Sequence, residues 1–183
     1  VIETAKNEFT FEYRGKDTNI KYVYKPTDGT FEDITAYVND RKVCKPMQDG
    51  GIKFENGTGV EKLELKSASL ADGIVTAVFS SDYGEVKYRL WIWQKSLVIE
   101  ASSLKGDASE LSLGYADELE GTPKLIKSPY LVMGNVFPSV LLLAGKEPLF
   151  LSCWVDWYNS NASELFAEVW TRKNSGKFNG GTK

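Results

Sequence analysis

Residues 60–101, VEKLELKSASLADGIVTAVFSSDYGEVKYRLWIWQKSLVIEA, decide the fold. Leu63 and Leu65 alternate with Lys62, Glu64 and Lys66, and Asp72-Gly73 then makes a turn. Ile74 to Ser80 begins another strand, and Ser81-Asp82-Tyr83-Gly84 turns the chain again. In Glu85 to Gln94, Val86, Tyr88, Leu90 and Ile92 face one way; Lys87, Arg89, Trp91 and Trp93 face the other. After Lys95-Ser96, Leu97, Ile99 and Ala101 hold alternate positions up to Gly106-Asp107. A period of two sends successive side chains to opposite faces of a strand. Four strand-and-turn units at roughly ten-residue spacing are the rhythm of an antiparallel sandwich or barrel.

The pattern extends toward the N-terminus. Phe9, Phe11 and Tyr13 alternate with charged and polar residues, as do Ile20, Tyr22 and Tyr24, and Gly15 to Thr18 lies between them. That pair predicts a hairpin. Phe31 to Asn39 continues the alternation, and Asp49 to Gly59 is a glycine-rich connector around one short strand, Ile52 to Glu55. Further on, Leu111 to Tyr115, Val140 to Ala144 and Leu149 to Trp154 are apolar runs, expected as strands buried on both faces. Only Ala162 to Trp170 has a helical look, and the polar, glycine-rich end from Thr171 suggests a chain that continues past Lys183. The expected fold is all-β, a two-layer antiparallel β-sandwich formed by residues 1–183 as one domain of a longer protein.

Composition removes several function classes. A domain of 183 residues buries roughly 70% of its unfolded surface and needs no metal or disulfide for a core. The net charge is −3 and no basic run exists, which argues against nucleic acid as a partner, since phosphate contacts need a basic excess. No apolar stretch approaches the length of a membrane span. Cys44 and Cys153 can pair, fill core space or stay free, and neither has the neighbours of a zinc or C-x-x-C motif. The chain contains no histidine, so imidazole catalysis, Ser-His-Asp triads and histidine metal sites are excluded within it. No phosphate-binding loop or EF-hand spacing occurs, and no cofactor is expected.

The densest chemical cluster is Trp154, Asp156, Trp157, Tyr158, Asn159, Asn161 and Glu164. Aromatic rings give the C–H face of a sugar a rigid apolar platform, while acids and amides bracket its hydroxyls. The competing reading is that Trp154 and Trp157 close one end of the core and Asp156 or Asn159 caps a turn. Arg89, Trp91 and Trp93 share a strand face, a sugar or peptide platform if exposed and ordinary core or interdomain packing if covered. Carboxylate pairs for glycoside hydrolysis can be drawn from Asp156 with Glu164 or Glu168, and from Asp82 with Glu85 and Glu100. With 25 carboxylates in the chain such pairs arise by chance. Asp117, Glu118 and Glu120 form an acidic turn, read as solvated in preference to calcium-binding.

Tyr88 to Glu100, Pro129-Tyr130-Leu131 and Asp156 to Phe166 carry a resemblance. In these stretches the chain resembles the galactose-mutarotase-like β-supersandwich that precedes the catalytic barrel in some bacterial glycoside hydrolases. The resemblance implies a secreted or periplasmic protein, a neighbouring catalytic domain of the same chain as partner, and carbohydrate as ligand. Mutarotases of that fold work with histidine and a carboxylate, so without histidine epimerase activity is not expected here. The expectation is a non-catalytic accessory domain packing on a catalytic domain and contacting glycan through the Trp154–Glu164 segment. The alternatives are a structural or protein-binding sandwich and a carboxylate-dependent glycosidase domain.

Overall fold

A computed structural model describes residues 1–55, 57–105, 108–127, 139–144, 148–154, 156, 158–159, 165–172 and 175–182. Among the described residues there is no helix, and the strands pair antiparallel throughout. The large sheet contains β1 (Ile2–Ala5), β2 (Glu8–Arg14), β3 (Asn19–Tyr24), β4 (Thr35–Val38), β5 (Arg41–Gln48) and β6 (Gly51–Phe54). Next in the chain come β7 (Glu64–Ala71), β8 (Ile74–Ser81), β9 (Gly84–Trp93) and β10 (Ser96–Ser103), which form a second sheet of order β10-β9-β8-β7. Then β11 (Ala108–Asp117) returns to the large sheet, and β12 (Thr122–Lys127), β13 (Ser139–Ala144) and β14 (Leu149–Leu151) make a three-stranded sheet. Finally β15 (Leu165–Arg172) and β16 (Ser175–Thr182) complete the large sheet, in the order β1-β2-β3-β4-β5-β11-β16-β15 with β6 also on β11.

The expected N-terminal hairpin is β2–β3, closed where Arg14 faces Asn19. Its inward aromatics meet the inward face of the second sheet. Phe9, Phe11 and Tyr24 pack with Val75, Ala77, Phe79, Val86, Tyr88 and Leu90 in one core. Each large apolar side chain taken out of water there contributes about 1.5–3 kcal/mol. Connecting segments add Phe31, Ile34 and Leu63, with the Phe31 ring 5.0 Å from that of Tyr88. The meander β7 to β10 follows the alternation read from the sequence. Asp72 and Gly73 both have positive φ, the conformation that lets a two-residue hairpin turn match the strand twist.

Several expectations change. Phe31 lies in a turn, with the Ile34 N–H donating to its carbonyl, and the strand begins only at Thr35. The run Leu149 to Trp154 is not a strand buried on both faces: β14 ends at Leu151 and Phe150 is 62% exposed. Leu149 and Leu151 pack on Ala36, Val43 and Cys44 in one small cluster and, with Leu119, on Ala116 and Leu143 in another. The helical reading of Ala162 to Trp170 is corrected where described, because Leu165–Arg172 pairs with Ser175–Thr182. The glycine-rich end supplies that partner and itself lies between β15 and β11. Both cysteines are free, and burial pushes the Cys44 thiol up to about 12 and the Cys153 thiol up to about 11.

Candidate functional site

The segment after β14 positions Trp154, Asp156, Tyr158 and Asn159; Trp157, Asn161 and Glu164 lie outside the described residues. Asp156 Oδ1 accepts the N–H of Tyr158 at 3.1 Å and that of Asn159 at 3.3 Å. Its Oδ2 accepts the Asn159 side-chain amide at 2.8 Å. The Asn159 amide first, and then the two backbone N–H groups, outweigh desolvation and hold the Asp156 carboxyl below its ordinary value. A carboxylate on successive N–H groups fixes a turn, so the capping role expected as the alternative is the one Asp156 takes. The core-closing role does not hold for Trp154, which is 64% exposed and donates its indole N–H to Ser152 Oγ at 3.2 Å. Tyr158 is 99% exposed. The turn thus holds two aromatic rings in solvent beside an ordered acid and amide.

Of the remaining acidic candidates, Glu85 and Glu100 lie apart. Glu100 lies opposite Arg89 and bonds it at 2.9 Å. Glu85 sits four positions away along β9, roughly 14 Å at a strand's rise, beyond the spacing of a glycosidase pair. In the acidic turn Glu118 pairs with Lys42 and, at 3.6 Å, with Lys45, while Glu120 pairs with Arg41 at 3.0 Å. Cations of β5 therefore neutralise this turn. Among the described residues no group of His, Cys, Asp and Glu is placed to hold a metal.

Known protein families, curated proteins and solved structures yield no match to the chain.

The other aromatic group, Arg89, Trp91 and Trp93, is not core packing. These side chains project from β9 away from Val86, Tyr88 and Leu90, and Trp93 is 64% exposed. The Arg89 guanidinium lies 6.0 Å from the Trp91 ring centre. The turn after Trp93 is pinned to the opposite sheet: Tyr22 donates its hydroxyl to the Lys95 carbonyl at 2.9 Å, and the Lys95 ammonium pairs with Asp17. Sequence reasoning missed this anchorage. Its partners stand 73 and 78 positions apart, and no local pattern signals such a contact.

Proposed function

We propose that the chain is a non-catalytic, carbohydrate-associated accessory domain of a secreted or periplasmic glycoside hydrolase-like protein. It packs on a catalytic domain and contacts glycan through the turn after β14. The observation that carries this reading is the pair of open rings, Trp154 and Tyr158, beside the Asp156–Asn159 bond. An exposed aromatic face costs little to desolvate and accepts the C–H face of a pyranose, while neighbouring amides and carboxylates take hydroxyl bonds. The absent histidine, the separation of Glu85 from Glu100 and the engagement of Glu100 by Arg89 support a binding role over a hydrolytic one.

The test is a tryptophan-fluorescence titration of the chain against mono- and oligosaccharides. Five tryptophans give the signal, and even millimolar binding, about −4 kcal/mol, is measurable. A saturable change is expected, of which a component is lost in Trp154→Ala and weakened in Tyr158→Ala. A response unaltered by both substitutions overturns the assignment of this turn.

A further inference from the structure

The outward face of the β10-β9-β8-β7 sheet carries a second arrangement, remote in sequence from the turn after β14. The pairing registers place Ala71, Ile74, Trp91 and Val98 in one row across the strands. The adjacent row is Ser69, Thr76, Arg89 and Glu100. Trp93 stands one pleat beyond Trp91 on the same strand face, about 7 Å along the chain. An apolar strip bounded on one side by hydroxyls, a guanidinium and a carboxylate is thereby built into the sheet.

We propose that this face is a glycan-binding platform, in which Trp91 and Trp93 stack on consecutive units of a neutral oligosaccharide while Arg89, Glu100 and Thr76 bond its hydroxyls.

Three features favour a neutral sugar over a protein. The apolar strip is one row wide, whereas a stable protein interface engages roughly 20–30 residues a side. Its aromatic centre also has charged neighbours, Lys87, Arg89 and Glu100, whose desolvation under a polypeptide would oppose docking. Second, the charges balance. Lys87 and Arg89 are matched by Glu85 and Glu100, so the face offers no net attraction to an acidic or basic polymer. Third, the platform is held before any ligand arrives. Glu100 fixes the Arg89 guanidinium beside Trp91, and Tyr22 and Asp17 hold the turn that follows Trp93. Side chains already ordered lose less freedom on binding, which matters most for the weak, shallow contacts of a sugar.

This face lies apart from the turn after β14, and variants separate the two. The 183-residue chain is titrated with cellohexaose, xylohexaose, mannohexaose and maltohexaose, followed by calorimetry and by amide chemical shifts. Binding to at least one hexasaccharide is expected to survive in Trp154→Ala/Tyr158→Ala and to weaken about tenfold or more in Trp93→Ala. Trp93→Phe should restore part of it. Because Trp93 is largely exposed, Trp93→Ala keeps the fold, and Arg89→Ala provides a second variant outside the core. Shift changes at Thr76, Trp91 and Val98 would place the sugar on this face. The proposal is overturned if no hexasaccharide binds, or if binding persists undiminished in Trp93→Ala and Arg89→Ala. It is equally overturned if sedimentation reveals a dimer that Trp93→Ala dissolves, which would give the face to a second copy of the chain.

Discussion

Two tyrosines in the core show how much a single hydroxyl decides. Tyr24 and Tyr88 are both fully buried in the same cluster. Tyr88 donates its hydroxyl to the Gly29 carbonyl at 3.0 Å, whereas the Tyr24 hydroxyl has no partner among the described residues. Burial first, then the neighbouring Tyr88, Asp33 and Asp28, drives the Tyr24 hydroxyl well above its ordinary pKa. An unpaired buried polar group carries its desolvation cost uncompensated, while a paired one returns it. Tyr24→Phe should therefore leave stability unchanged or raise it by about 1 kcal/mol, and Tyr88→Phe should lower it by about 1–2 kcal/mol. Urea denaturation midpoints read both, and a loss in Tyr24→Phe equal to that in Tyr88→Phe would contradict the assignment. The alternation in the sequence places both rings inward. Which hydroxyl finds a carbonyl depends on the segment around Gly29, which no local pattern specifies. The same holds at the turn after β14: its aromatic and acidic composition is plain in the sequence, but the engagement of Asp156 by its own turn is not.

At the scale of elements, β5 and β6 act as one strand with a break. Both lie along β11, where Gln48 faces Tyr115 and Gly51 faces Ser112, so the register passes through the break unchanged. Gly114 sits at this point with φ +61, and a Cβ there would fall 2.0 Å from the Gln48 carbonyl oxygen. No side chain fits that approach. Gly73, in the β7–β8 turn, has φ +77 but open space around it. Gly73→Ala should then lose only the conformational cost, about 1 kcal/mol, and Gly114→Ala at least ~2 kcal/mol more as the strands are forced apart. Chemical denaturation of the two variants compares them directly, and similar losses would show that the close approach is relieved without cost. The strands from β7 to β10 were legible because their alternation, turns and burial agree. The stretch that becomes β15 was not, because a short apolar run is compatible with helix or strand until a partner is known. That partner is β16, a polar, glycine-rich segment with no strand signal of its own.

For the whole molecule, the described buried residues gather mainly between two of the sheets. Among the described residues, the core between the large sheet and the β10-β9-β8-β7 sheet joins fifteen buried residues, whereas the two small clusters beneath the three-stranded sheet hold Ala36, Val43 and Cys44, and Ala116 and Leu143. Fewer buried contacts give a smaller local opening free energy. Amides of β13 and β14 should therefore exchange with deuterium well before those of β8 and β9, and equal protection would mean that the three sheets open as one unit. Leu143→Ala should widen the difference, since it removes a buried side chain of that sheet. The sequence by itself determined the all-β class, the N-terminal hairpin, the meander from β7 to β10 and the exclusion of imidazole chemistry. Those features depend on local periodicity, turn residues and composition. Tertiary structure alone decided that the β9 aromatics face outward, that Lys95 is tied to Tyr22 and Asp17, and that the C-terminal segment enters the large sheet between β11 and β15. Alternation divides a strand into two faces without saying which is covered, and pairing between distant segments leaves no mark on either segment alone.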